Sequence, residues 1–229
     1  MRKRTLIVLG ILLAFFVIQS CSSSPERGIL SRYFNAVRMN DNATMASMAL
    51  EPAQWDVASW DIVSVSPEKI EPMTLPGLTK AEADAKKAQD GQIGPTMDAD
   101  TVLQNAKDTL DVSRTGGAKA AAKKQVDEAQ AKYDVEYGKM KEFKTNYTAA
   151  KAAAASEEQI ALFSLGLREL ASIRDLTGNV HSKDVVVTIK TTQGQTKNYK
   201  LLMRMYELKN EAGQKLPARW IIVKFEPVA

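Results

Sequence analysis

Two residues in this 229-residue chain stand out by chemistry, its only cysteine, Cys21, and its only histidine, His181. With no second cysteine, an internal disulfide and a multi-thiolate metal site are both excluded. Cys21 follows Arg2, Lys3 and Arg4, an apolar run from Leu6 to Ile18, and the small residue Ser20. That run is well short of the roughly 20 residues needed to span a bilayer and has the length of a signal-peptide core. The order predicts a signal peptide over residues 1–20, cleaved at the cysteine; the alternative is an uncleaved signal anchor with a passive Cys21. His181 is an imidazole of the type that suits a general base near neutral pH. It lies ahead of a predicted strand with no serine and aspartate arranged around it, and reads as a loop or strand-edge residue without a function. Asp41, Asp56 and Asp61 are candidate acids, but surface caps explain them better. No catalytic residue, metal ligand set or cofactor is expected, and the chain reads as a non-enzyme.

The elements that would position these residues follow from pattern. The chain carries 31 Lys and Arg against 27 Asp and Glu, and removing the three leader cations leaves 28 against 27. The mature protein is therefore nearly neutral and lacks the basic balance that nucleic acid would attract. Ser24 and Pro25 form an N-cap and first-turn proline. Ile29, Leu30, Tyr33, Phe34 and Val37 then give one apolar helical face, broken at Asn40, Asp41 and Asn42. Residues 43–50 read as a short helix. Trp60, Ile62 and Ser64 alternate in a strand closed by Pro67, which residues 70–73 prolong beyond a bend.

Thr79 and Glu82 stand at capping-box spacing and predict the start of a long helical segment. Asp90, Gly91, Gly94 and Pro95 interrupt it, and it ends at Gly116 and Gly117. From Ala118 the chain turns back, with Val126, Tyr133, Met140, Tyr147 and Ala154 seven residues apart and Glu136 spoiling the companion stripe. Seven acidic and four basic residues lie between Lys80 and Asp111, against eight basic and five acidic from Lys119 to Lys151. The two arms, 79–113 and 118–152, predict an antiparallel hairpin, each about 50 Å long at 1.5 Å per residue. A partly disordered alanine and lysine segment is the alternative. Tyr133, Tyr137, Phe143 and Tyr147 are expected to pack the helices rather than to bind a partner. Ser156 and Gln159 predict a helix restart that runs through Ile173 to a stop at Gly178 and Asn179. Three strands follow, around Val185–Ile189, Tyr199–Met205 and Trp220–Phe225.

Ile18, Gln19 and Ser20 before Cys21 resemble the lipobox of bacterial lipoproteins: an aliphatic residue three before cysteine, a tolerant position, then a small residue. The resemblance implies a thioether-linked diacylglycerol on Cys21, cleavage by signal peptidase and acylation of the new amine. Three acyl chains, at about 0.8 kcal/mol per buried methylene, make an effectively permanent membrane tether. Ser22, where aspartate would signal retention, implies an outer-membrane location facing the periplasm. Residues 26–73 and 180–226 are similar to the nuclear transport factor 2-like superfamily in the Tyr33 and Phe34 helix, the Asn40–Asn42 break, the Trp60 strand and the closing meander. That resemblance implies a curved sheet wrapped around a helix as a cone, whose open end holds a small molecule or a partner.

The expected architecture is thus α+β: a signal peptide at 1–20, a lipidated tether at 21–25, a cone-like antiparallel sheet packed on N-terminal helices at 26–75 and 156–229, and an inserted helical hairpin at 76–155. The expected role is a non-catalytic envelope lipoprotein that holds a protein partner through the hairpin. A small-ligand carrier, with Tyr33, Phe34, Trp60 and Trp220 lining the cone, is the alternative.

Overall fold

The computed structural model describes residues 25–210 and 212–228. The signal peptide expected at 1–20, the expected lipidation of Cys21 and the expected Ser24 cap fall outside the described residues. The protein is α+β. Helices α1 (Pro25–Met39) and α2 (Asn42–Met48) precede strands β1 (Ser59–Val65) and β2 (Lys69–Pro72). Two long helices follow, α3 (Leu75–Val112) and α4 (Gly116–Leu165), then a 3-10 turn (Ile173–Asp175) and strands β3 (Thr177–Lys190), β4 (Thr196–Lys209) and β5 (Ile221–Val228). The strands form one open antiparallel sheet in the order β1-β3-β4-β5, with β2 also pairing with β3. The chain divides into two compact units, one of residues 25–70, 180–205 and 219–228, the other of residues 71–179 and 206–218.

In the first unit, α1 buries Leu30, Tyr33, Phe34, Ala36 and Val37. These meet alternate residues of the strands, Val185, Val187 and Ile189 on β3 with Leu201 and Met203 on β4, in one apolar core. The helix ends where the polar run at 40–42 predicts. Asn40 takes a left-handed φ of 54°, which asparagine tolerates better than most residues. Asp41 then caps α2 by accepting the Thr44 N–H at 3.0 Å. The β1–β3 register sets Trp60 against Ile189 and Ile62 against Val187, then shifts between Ile62 and Ser64. Beyond that bulge Ser64 pairs with Val186 and is exposed like its neighbours Val63 and Val65, so the alternation expected along β1 holds only for its first half.

In the second unit, α3 and α4 lie antiparallel, as the pairing of Gln92 with Glu136 and of Asn105 and Thr109 with Gln125 and Glu128 around one groove requires. The less exposed positions alternate in spacings of three and four: Leu78, Glu82, Ala85, Gln89, Gln92, Thr96, Ala99, Leu103, Ala106 and Leu110 on α3, and Val126, Ala129, Tyr133, Glu136, Met140, Phe143, Tyr147, Ala150 and Ala154 on α4. A 3.5-residue period is that of a left-handed coiled coil. Glu136 belongs to this stripe instead of breaking it. Its carboxylate accepts from the Gln92 amide at 2.5 Å and from Lys139 at 2.8 Å.

Several helix limits differ from the sequence expectation. The first long helix begins at Leu75, with Pro76 in its first turn, where the fixed φ of proline favours initiation. Thr79 is inside the helix with its hydroxyl buried and, among the described residues, without a hydrogen-bond partner, and Glu82 takes Arg174 at 2.8 Å instead of closing a capping box. Nor is the helix interrupted at residues 90–95. Pro95 offers no N–H to the Gly91 carbonyl, but the seam holds across it: Gln92 is buried and Thr96 donates its hydroxyl to the Gln92 carbonyl at 2.9 Å.

Likewise, α4 runs through Ser156 without a restart. It stops at Gly166, whose left-handed φ of 69° closes the helix with its N–H directed at the Leu162 and Phe163 carbonyls. Leu167 is 43% exposed, so the apolar positions beyond Gly166 do not extend a helical face. Gly178 sits in β3 instead of ending a helix, and a Cβ there would come within 2.1 Å of the Glu207 carbonyl oxygen.

Candidate functional site

Pro25 opens α1 four residues after Cys21, and the first turn immediately enters a charged cluster. Glu26 is buried, and its carboxylate accepts from Lys183 of β3 at 2.5 Å. Lys183 also lies 3.1 Å from Glu68 and its ammonium sits 5.0 Å above the Trp220 ring centroid. His181, two residues earlier on the same strand face, places Nδ1 2.5 Å from Glu68, with its ring edge-on to Trp220 at 6.5 Å. Burial alone would lower the Lys183 pKa, but the hydrogen bonds to Glu26 and Glu68 outweigh it and hold the pKa above its usual value. The same contacts hold Glu68 below the ordinary carboxylate range, the His181 bond first and the Lys183 bond second.

A carboxylate and an imidazole in contact can orient a base, yet base chemistry needs a nucleophile or substrate within reach. Among the described residues no hydroxyl is hydrogen-bonded to His181. The three candidate aspartates are each occupied locally: Asp41 by Thr44, Asp56 by Thr192, and Asp61 by Arg27 at 3.3 Å. Among the described residues no group of three or more His, Cys, Asp or Glu is placed to hold a metal ion. The cluster is an ion-pair network that ties the first turn of α1 to β3.

The four residues expected to line an interior all lie in or against one core. Tyr33 and Phe34 are fully buried. Phe34 stacks on Trp60 with centroids 4.9 Å apart, and Tyr33 stacks on Phe225 at 5.4 Å. The Tyr33 hydroxyl accepts the Ala53 N–H at 3.0 Å and donates to its carbonyl at 3.4 Å. Burial raises the Tyr33 pKa and the Ala53 bond only partly offsets this. Trp220 packs against the same core and also meets the charged cluster through Lys183 and His181. The residue that sequence reasoning missed is Trp55, which stacks on Tyr199 at 4.4 Å and on Phe34 at 6.2 Å and meets Phe225 edge-on at 4.8 Å. It lies in a segment without periodicity, so the only available signal was a tryptophan between two polar residues, Gln54 and Asp56.

The second unit presents a different surface. Ile93, Met97, Val102, Val135 and Tyr137 remain exposed on the helix pair. Tyr137 stacks on Tyr133 with centroids 5.5 Å apart and carries the Lys141 ammonium 4.5 Å above its ring. Between the helices, Pro95, Ala99, Val102 and Lys132 border a groove of ≈ 590 Å³. Lys139 first and Gln92 second hold the Glu136 pKa below its ordinary value, so the seam keeps a charged carboxylate at mid-length. No protein-family model, no curated protein and no solved structure matches this chain.

Proposed function

We propose that this protein is a lipoprotein of the bacterial envelope, anchored through Cys21 to the outer membrane on its periplasmic side. In this reading it works without catalysis and engages a protein partner through the α3–α4 pair. The supporting observation is that pair, 38 and 50 residues long, with large apolar side chains left on its outer surface. Six such residues, Ile93, Met97, Val102, Val112, Val135 and Tyr137, suit recognition by a partner, because burying them would recover free energy left unused in the isolated chain. The finer architecture belongs to the same proposal: a cone-like sheet around α1, with the helix pair inserted between β2 and β3.

Among the described residues no helix is long and apolar enough to cross a membrane, and the reading places attachment ahead of them. From Cys21 to Pro25 is four residue steps, at most about 14 Å when extended, so lipidation would hold the start of α1 close to the headgroups. Carriage of a small ligand inside the body has less support, since Tyr33 and Phe34 are packed among other rings.

Two measurements test the proposal. Mass spectrometry of the mature N-terminus should find a triacylated Cys21, and an intact Met1 or an unmodified Cys21 would sink the anchor. Photo-crosslinking from residue 97 or 135 in cells should give one discrete adduct with an envelope protein. Recovery of the same partners by a chain lacking residues 79–155 would remove the helix pair from that role.

A further inference from the structure

The segment between α2 and β1, residues 50–58, has no regular secondary structure, yet it is held along its length. Leu50 donates its N–H to the Ile222 carbonyl at 2.9 Å, and Ala58 donates to the Lys190 carbonyl at 2.8 Å. Between them, both main-chain polar groups of Ala53 engage the Tyr33 hydroxyl, and the Asp56 carboxylate accepts from Thr192 at its main-chain N–H, 3.2 Å away, and at its hydroxyl. Trp55 is clamped between Tyr199 and Phe34. A strap pinned at this many points is preorganised, so a ligand binding against it has little ordering cost to meet.

The strap walls two adjoining cavities of this unit, ≈ 610 Å³ and ≈ 290 Å³, with Gln54, Trp55 and Asp56 bordering both. The larger lies within the about 300–1,000 Å³ typical of small-molecule sites. Val37, Met45 and Val57, all buried, border it together with Asn40, Asn42 and Gln54. Among the described residues these three side-chain amides have no hydrogen-bond partner. Each presents a donor and an acceptor in one plane. Asp56 spends Oδ2 on both Thr192 bonds, which leaves Oδ1 able to accept.

We infer that this cleft binds a saccharide. A pyranose ring offers an apolar C–H face for the apolar lining residues Val37, Met45, Trp55 and Val57 and a rim of hydroxyls that both donate and accept, the complement of three planar amides and one carboxylate oxygen. Other ligand classes fit less well. An apolar ligand would strip water from Asn40, Asn42 and Gln54 and return no hydrogen bonds. A polyanion would meet the Asp56 carboxylate, and a cation would meet Arg38, which also borders the cavity. The inference stands whether or not the chain is lipidated.

The test is titration of the full chain, kept in a detergent without a sugar headgroup, with tetrasaccharides of glucose and of N-acetylglucosamine, read by calorimetry and by saturation-transfer NMR. Saturable binding of at least one sugar is expected at or below about 1 mM. Gln54→Ala and Asn42→Ala should each weaken it about tenfold, the equivalent of one lost hydrogen bond with a neutral partner. Both residues are exposed, and an unchanged melting temperature for each variant is the control that folding is intact. Arg38→Gln should leave the affinity within about threefold. The inference is overturned by absence of saturable binding for both sugars up to about 10 mM, by equal affinity in the Gln54 and Asn42 variants, or by loss of binding in Arg38→Gln together with strong salt dependence, which would assign the cleft to anions.

Discussion

The stretch Gly91–Pro95 should be the soft point of α3, and relieving it should stabilise the second unit measurably. Gly91 and Gly94 sit within the helix with no atom within 4 Å of where a Cβ would stand, so alanine fits at either without displacement. Each replacement should gain about 0.8–1 kcal/mol from the backbone entropy that glycine loses in a helix. Pro95→Ala restores an N–H for the Gly91 carbonyl and removes the ring clash, worth about 3 kcal/mol against alanine in a helix interior. Against this, proline also restricts the unfolded chain, which returns up to about 1 kcal/mol. The net gain for Pro95→Ala is then about 2 kcal/mol, and for all three together about 4 kcal/mol if they add.

For a chain of this size such a gain corresponds to a rise in melting temperature on the order of 10 °C. Because the chain has two compact units, the assay should be residue-resolved native-state hydrogen exchange, which reports the opening free energy of α3 itself. Slower exchange should appear first for the amides of residues 92–99 and be absent from the first unit, residues 25–70, 180–205 and 219–228. A destabilising Pro95→Ala, or no change beyond about 0.3 kcal/mol in both glycine variants, would refute the reasoning that ordinary helix energetics govern this stretch.

Three further outcomes follow from the packing and charges. Phe34→Ala removes a fully buried ring that touches Tyr33, Trp55 and Trp60, and should cost about 3–5 kcal/mol in denaturant unfolding; a loss below about 1 kcal/mol would mean that the ring cluster is not tightly packed. Gly178→Ala would force a Cβ to within 2.1 Å of the Glu207 carbonyl oxygen, so the strands must part locally and the variant should lose about 1–3 kcal/mol, with wild-type stability as the refuting result. Glu226, between Lys224 and Lys200, is held at a pKa of about 2 against an ordinary 4.5. Its depressed pKa contributes stability that is present above 4.5 and lost as pH falls through 2. In Lys224→Ala an NMR titration should find the Glu226 midpoint raised, with acid loss setting in at higher pH, and an unmoved midpoint would contradict the assignment.

What could be read from the chain was mostly local. The polar run at Asn40–Asn42 marks a helix end because those side chains compete for backbone hydrogen bonds, and Asp41 does cap α2. The strand alternation of Val185, Val187 and Ile189 likewise appears as three buried residues. What failed depended on partners far away in sequence. Gly91, Gly94 and Pro95 are locally helix breakers, and the seam that carries α3 past them is held by Gln92 and Glu136, 44 residues apart. The same separation turned Glu136 from a member of the stripe into an apparent fault. His181 reads as an idle edge residue until Glu68, 113 positions away, is brought beside it. Trp55 was missed because a pinned irregular segment leaves no period to detect.

The Glu26–Lys183 contact also gives the molecule a mechanical property. If the chain is pulled through an anchor at Cys21, the load enters at Pro25 and meets Lys183 one residue later. Lys183 belongs to β3, which is hydrogen-bonded on both sides, to β1 and β2 on one and to β4 on the other. Tension on the tether is therefore passed sideways into the best-supported strand of the sheet and not spent unwinding the first turn of α1. A helix start without that lateral link would fray more readily, whereas this one gives way only after the Glu26 carboxylate is separated from the Lys183 ammonium.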